Sequence, residues 1–174
     1  MSKVMDSRAK TARKNVGTMT PVVYAYLLRT KQDGHGSGNL LDYGCGYGMY
    51  RQALSQAGYN WFGWDLCLDR FEQVWDVKAA GRTACFETVA LSNVLNVQET
   101  LEQFQETLVE AADCVRYKGR LVLNYPAVPR RMPSINWQRF VLLVQDTLED
   151  AGYQFQVVRQ ENSQQLLVLQ RVSR

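Results

Sequence analysis

Leu40-Leu41-Asp42-Tyr43-Gly44-Cys45-Gly46-Tyr47-Gly48, continued by Met49-Tyr50-Arg51-Gln52-Ala53-Leu54, carries the strongest local signals in the chain. A short apolar run ends in an acid, glycines follow at every second position, and a helix-compatible segment comes next. The order reads as strand, tight loop, helix. Glycines admit positive φ and carry no Cβ, so a ligand can lie against the backbone. The helix that starts at such a loop offers unpaired N–H groups to a carboxylate or phosphate.

A second acid sharpens this. Asn60-Trp61-Phe62-Gly63-Trp64-Asp65-Leu66-Cys67 looks like the next strand, and Asp65 lies 17 residues beyond Gly48. In nucleotide-binding α/β folds an acid about 20 residues on accepts hydrogen bonds from ribose hydroxyls. The spacing G-x-G-x-G differs from the G-x-G-x-x-G of dinucleotide binders, although the loop alone leaves a nicotinamide site or a non-binding turn open. Acid, glycines and second acid together resemble class I S-adenosylmethionine-dependent methyltransferases. The resemblance covers about residues 39–172 and implies an enzyme that binds S-adenosylmethionine or S-adenosylhomocysteine. It implies cofactor contacts from Asp42, Gly44, Cys45, Gly46, Gly48 and Asp65. Adenine contacts in that family come from the segment after the second strand, which makes Leu66, Cys67 and Asp76 candidates here.

The fold class expected is α/β, a Rossmann-like class I methyltransferase sheet with helices on both faces. It is shortened between the family's second and fourth strands, since residues 67–84 leave little room. An antiparallel pair, Phe155–Arg159 and Leu166–Val172, would close it. Two regions are expected: a basic N-terminal helical arm and glycine-rich linker over 1–38, and the cofactor-binding domain over 39–174. In the arm, Thr20 reads as N-cap with Pro21 at the first helical position. Between the loop and the closing pair, helices are expected over 49–57 (ended by Gly58), 98–116 and 135–151 (capped by Ser134), with strands over 60–66 and 85–91 and, after a turn at Gly119, a strand that Pro126 and Pro129 stop.

Ligands in open α/β sheets bind beyond the carboxyl ends of the strands, and Ser92, Asn93 and Asn96 follow the Cys85–Leu91 strand. Ser92 is therefore a further cofactor candidate, and Asn93, Asn96 and Tyr125 are candidate catalytic residues, with Tyr47 or Tyr125 lining the acceptor pocket. The alternative for the two asparagines is to cap the helix beginning near Gln98. The amide, aromatic and proline of Asn124-Tyr125-Pro126 stand after a different strand from the one at which DNA amino-methyltransferases carry Asn/Asp/Ser-Pro-Pro-aromatic. Ser92-Asn93-Val94-Leu95 also departs from that motif. A narrower resemblance, to methyltransferases associated with DNA phosphorothioation systems, rests on Ala12-Arg13 through Thr20-Pro21, the glycine loop, Gly63-Trp64-Asp65 and Asn93-Val94-Leu95-Asn96-Val97.

The 174 residues, 46% hydrophobic and 21% charged, suit one globular domain. No apolar run approaches 18 residues and the basic N-terminus lacks a hydrophobic signal core, so a cytoplasmic protein is expected. Four cysteines without a C-x-x-C pair, and one histidine (His35) in a glycine-rich linker, argue against a metal site or a disulfide framework. Residues 1–31 carry seven basic groups and one acid, +6, while the rest of the chain carries −3. That asymmetry suggests a nucleic-acid acceptor, with Tyr24, Tyr26, Tyr47 and Tyr125 to stack a base and Arg130-Arg131 beyond the strand end. A solvated basic face, a small-metabolite or protein acceptor, and a non-catalytic cofactor-binding module are the alternatives.

Overall fold

The computed structural model describes residues 20–32, 38–65 and 85–173. In chain order the elements are α1 (Val22–Gln32), β1 (Gly38–Tyr43), α2 (Arg51–Gln56), β2 (Tyr59–Trp64), β3 (Phe86–Leu91), a 3-10 turn (Leu95–Val97), α3 (Leu101–Asp113), β4 (Val115–Asn124), α4 (Trp137–Asp150), β5 (Phe155–Glu161) and β6 (Leu166–Arg171). Among the described residues the strands form one sheet in the order β2-β1-β3-β4-β6-β5. The first four are parallel, and β6 runs antiparallel to both β4 and β5.

Period-two burial on both faces explains why these strands sit inside the molecule. Leu41, Val89, Leu91, Leu121, Leu123, Leu167 and Leu169 face one core, filled by Phe104 and Leu108 of α3 and Phe140, Val144 and Leu148 of α4. Their neighbours Leu40, Ala90, Val122, Leu166 and Val168 face the other, filled by Val23 and Leu27 of α1 and Leu54 of α2. Helices therefore cover both faces. The chain leaves β1 in one direction to form β2 and returns across it to form β3, which puts a topological switch point between β1 and β3.

Several expectations shift. α1 starts at Val22, and the Ala25 N–H donates to the Pro21 carbonyl, so the helix begins one residue later than the Thr20 cap implied. Its Val23, Tyr24, Tyr26 and Leu27 are buried, in one cluster with Leu40 of β1 and Leu54 of α2. Gly119 lies within β4, not in a preceding turn, because the bulge at Lys118 (φ 63°) brings it against Phe86. A Cβ there would meet the Phe86 carbonyl oxygen at 2.9 Å and the Arg116 carbonyl oxygen at 2.8 Å. α4 is capped by Asn136, whose Oδ1 accepts from the Arg139 N–H at 2.9 Å, and not by Ser134. The reason is local: the Ile135 N–H is drawn into a turn onto the Met132 carbonyl, and the helix starts after it. Residues 1–19, His35, Leu66, Cys67 and Asp76 lie outside the described residues. Among the described residues no helix is long and apolar enough to cross a membrane.

Candidate functional site

The glycine loop leaves the carboxyl end of β1 with Gly44, Gly46 and Gly48 at φ of 78°, 57° and 64°. A side chain at any of the three is strained. At Gly44 space forbids it as well, since a Cβ would stand 2.6 Å from Val94 Cγ2. The end of β2 clamps the loop. The Gly44 and Cys45 N–H groups both donate to the Trp64 carbonyl, at 2.7 and 3.0 Å, and the Gly46 N–H donates to Asp65 Oδ2 at 2.8 Å. Asp65 is 6% exposed, so one oxygen of the expected ribose acceptor also holds the loop's shape. Gly63 was not among the expected site residues, yet a Cβ there would run into the Trp61 ring and approach Cys45 Sγ at 2.8 Å. The buried Cys45 thiol has its pKa pushed well up by burial and by the Asp42 and Asp65 carboxylates, which makes it inert packing.

Asp42, one residue before the end of β1, is 1% exposed. The Tyr24 hydroxyl donates to its Oδ1 at 2.9 Å and the Trp61 indole N–H to its Oδ2 at 3.3 Å. Burial pushes its carboxyl up to about 7 against the pull of these two donors, with Asp65 adding repulsion. The Tyr24 phenol is held well above its ordinary value, first by burial and then by Asp42. Its ring stacks on Tyr50 at 4.2 Å, which ties α1 to the residue that opens α2. No sequence spacing signals this contact.

At the carboxyl ends of β3 and β4 two asparagines meet. The Asn93 N–H donates to Asn124 Oδ1 at 2.8 Å, and Asn124 Nδ2 donates back to Asn93 Oδ1 at 2.9 Å. Asn93 has φ 57°, a region that non-glycine residues enter at a cost. Thr100 caps α3 by accepting from the Gln103 N–H, so neither Asn93 nor Asn96 caps that helix. The Ser92 hydroxyl lies beside the Tyr24 phenol without completing a hydrogen bond. Ser92 Oγ, Asn96 Oδ1, Trp64 Nε1 and the Tyr125 hydroxyl are buried and unpartnered among the described residues, all near strand ends. Tyr125 points away from the asparagine pair into the α3 and α4 core, stacked on Phe140 at 4.6 Å, and burial raises its phenol to about 12.

The structure therefore gathers Asp42, Gly44, Cys45, Gly46, Gly48 and Asp65 at the ends of β1 and β2, with Ser92 and Asn93 beside them at β3. It adds Asn124, which an end-of-strand amide hinted at but only the β3–β4 register could pair. Of the four tyrosines expected to stack a base, Tyr24, Tyr26 and Tyr125 are buried, because their rings complete the two cores. Tyr47, on the glycine loop, is 48% exposed. Arg131 pairs with Glu99 at 2.7 Å, and Arg130 is exposed.

No protein-family model and no curated protein sequence matches the chain. Solved structures do. The N-methyltransferase NodS from Bradyrhizobium japonicum WM9, in complex with S-adenosylhomocysteine, superposes with a TM-score of 0.61 at 14% identity, covering 95% of this chain and 98% of its own. CalS10 from Micromonospora echinaspora, an amino pentose methyltransferase with S-adenosylmethionine bound, gives 0.61 at 15% identity and 95% of each chain. The 1,6-didemethyltoxoflavin-N1-methyltransferase of Burkholderia thailandensis gives 0.55 at 13% identity, covering 88% of this chain and 80% of its own. The mixed six-stranded sheet thus has the Rossmann-like fold of class I S-adenosylmethionine-dependent methyltransferases.

Proposed function

We propose that the chain is an S-adenosylmethionine-dependent methyltransferase acting in the cytoplasm. One observation carries the reading: three positive-φ glycines follow β1, and the loop they form is fastened through Gly46 to the carboxylate at the end of β2. The residues fit the cofactor. A backbone free of Cβ atoms accepts a close ligand, and an acid at the second strand end suits ribose hydroxyls. The fold's neighbours NodS and CalS10 carry S-adenosylhomocysteine and S-adenosylmethionine. When bound, the sulfonium supplies the methyl group, and the chain's part is to position the acceptor and exclude water.

Calorimetry with S-adenosylhomocysteine tests it. Binding by the unaltered protein should weaken in Gly46→Ala, and in Asp65→Ala by about 1.5–3 kcal/mol, the worth of hydrogen bonds to a charged group. Tight NAD binding with no S-adenosylhomocysteine binding overturns the reading. For the acceptor, the fold's neighbours include enzymes named for an amino sugar and a small heterocycle. The burial of Tyr24, Tyr26 and Tyr125 also weighs for a small molecule over a stacked base. A nucleic-acid acceptor is the second reading, favoured by the +6 charge over residues 1–31. The tie to DNA phosphorothioation systems rests on the sequence motifs alone.

A further inference from the structure

The asparagine pair at the ends of β3 and β4 has a polarity that its own bonds fix. A backbone nitrogen can only donate, so the Asn124 atom 2.8 Å from the Asn93 N–H is its oxygen. The Asn124 amide nitrogen therefore faces Asn93, and the atom it meets at 2.9 Å is the Asn93 oxygen. Neither amide can be turned over without setting donor against donor. Asn93 is left with its Nδ2 group, which has no partner among the described residues and belongs to a part-buried side chain. The residue is also closely placed. Val94 abuts Gly44 of the loop, Ser92 lies beside the phenol that holds Asp42, and Asn93 is between them at the switch point.

We infer that Asn93 Nδ2 donates a hydrogen bond to the atom that receives the methyl group, and that this atom is a hydroxyl oxygen and not an amino nitrogen. The inference rests on the methyltransferase reading and deepens it. An amine has a single lone pair, so accepting a hydrogen bond leaves it nothing with which to attack, and its own N–H groups would face donors. An oxygen accepts on one pair and attacks with the other. The new O–C bond forms as the S–C bond breaks with its electron pair on sulfur, leaving a neutral thioether, and the hydroxyl proton passes to solvent. Asn124 is the positioning residue. It occupies the Asn93 oxygen and holds Asn93 in the left-handed conformation, and so selects the donor face of the amide.

The test uses the full chain, methyl-labelled S-adenosylmethionine and pairs of aromatic probes that differ only in bearing a hydroxyl or an amino group, with the product located by mass spectrometry. The hydroxyl member should be methylated at least tenfold faster. Asn93→Asp keeps the oxygen facing Asn124, tolerates positive φ and replaces the donor with an acceptor, so it should abolish or reverse that preference. Asn124→Asp removes the donor that fixes Asn93 and should bring the ratio towards parity. Both variants should bind S-adenosylhomocysteine by calorimetry as the parent does. Faster amine methylation by the parent, a ratio unchanged in both variants, or no transfer to any hydroxyl probe by protein that binds S-adenosylhomocysteine overturns the inference. Failure of the parent to bind S-adenosylhomocysteine overturns instead the reading beneath it.

Discussion

Burial raises the Asp42 carboxyl to about 7, against an ordinary aspartate value of about 3.9, even though Tyr24 and Trp61 both donate to it. The folded protein thus holds this proton more tightly than the unfolded chain does. Asp42 contributes stability that is complete below about pH 4 and is lost as the pH rises through about 7. Other groups close to it sharpen the effect: Asp65 repels the ionised form, and the Tyr24 phenol and Cys45 thiol stay neutral throughout this range. In Asp42→Asn the side chain cannot ionise, so its melting temperature should change less between pH 5 and pH 8. The parent should lose stability relative to the variant over that range. Parallel melting curves across the range would show that Asp42 does not titrate there.

At the scale of elements, α1 reaches the sheet through apolar packing and two buried polar contacts, one of them from the Tyr59 hydroxyl of β2 to the Leu27 carbonyl at 3.1 Å. Val23 and Leu27 are buried in the core they share with Leu40 and Leu54, while the Tyr24 hydroxyl crosses to Asp42. Tyr24→Phe keeps the ring on Tyr50 and removes only the hydrogen bond, so the helix should stay docked. Its cost should be about 1–3 kcal/mol, because the Asp42 oxygen left behind is buried. Hydrogen exchange should quicken in residues 22–32 while the β3–β4 ladder keeps its protection. Equal loss of protection in both would mean that α1 is not a separable unit and that the bond supports the whole domain.

For the whole molecule, the +6 charge over residues 1–31 bears on the acceptor. Residues 1–16 contain five basic side chains, Lys3, Arg8, Lys10, Arg13 and Lys14, and precede every buried residue of α1. Deleting them should leave S-adenosylhomocysteine affinity intact. If nucleic acid is the acceptor, each lost phosphate contact should flatten the log–log salt dependence of binding by about 0.7–0.9. Undetectable binding to DNA and RNA at low salt by the full chain would leave the small-metabolite or protein acceptor.

The local signals were legible because they are local. Asp42 before Gly44, Gly46 and Gly48 announced a strand, a positive-φ loop and a helix. The apolar run through Leu121, Val122 and Leu123 announced a strand, which the fold buries on both faces. Gly58, at φ 95°, marked the end of α2. Three things were not legible. A bulge at Lys118 moved the start of β4 from beyond a turn at Gly119 back to Val115, which depends on how β4 registers against Phe86. The Asn136 cap displaced Ser134 because a turn through Met132 took up the intervening N–H. Tyr24, Tyr26 and Tyr125 are equally suited by composition to a core or to a base, and packing put them in the core. The order of elements and the chemistry of the first loop follow from backbone preferences and apolar periodicity within a few residues, and so can be read along the chain. The pairing of Asp42 with Tyr24 and Trp61, and of Asn93 with Asn124, came from the fold. Those pairs join residues 18, 19 and 31 positions apart, whose meeting depends on strand order and register, and no local pattern encodes either.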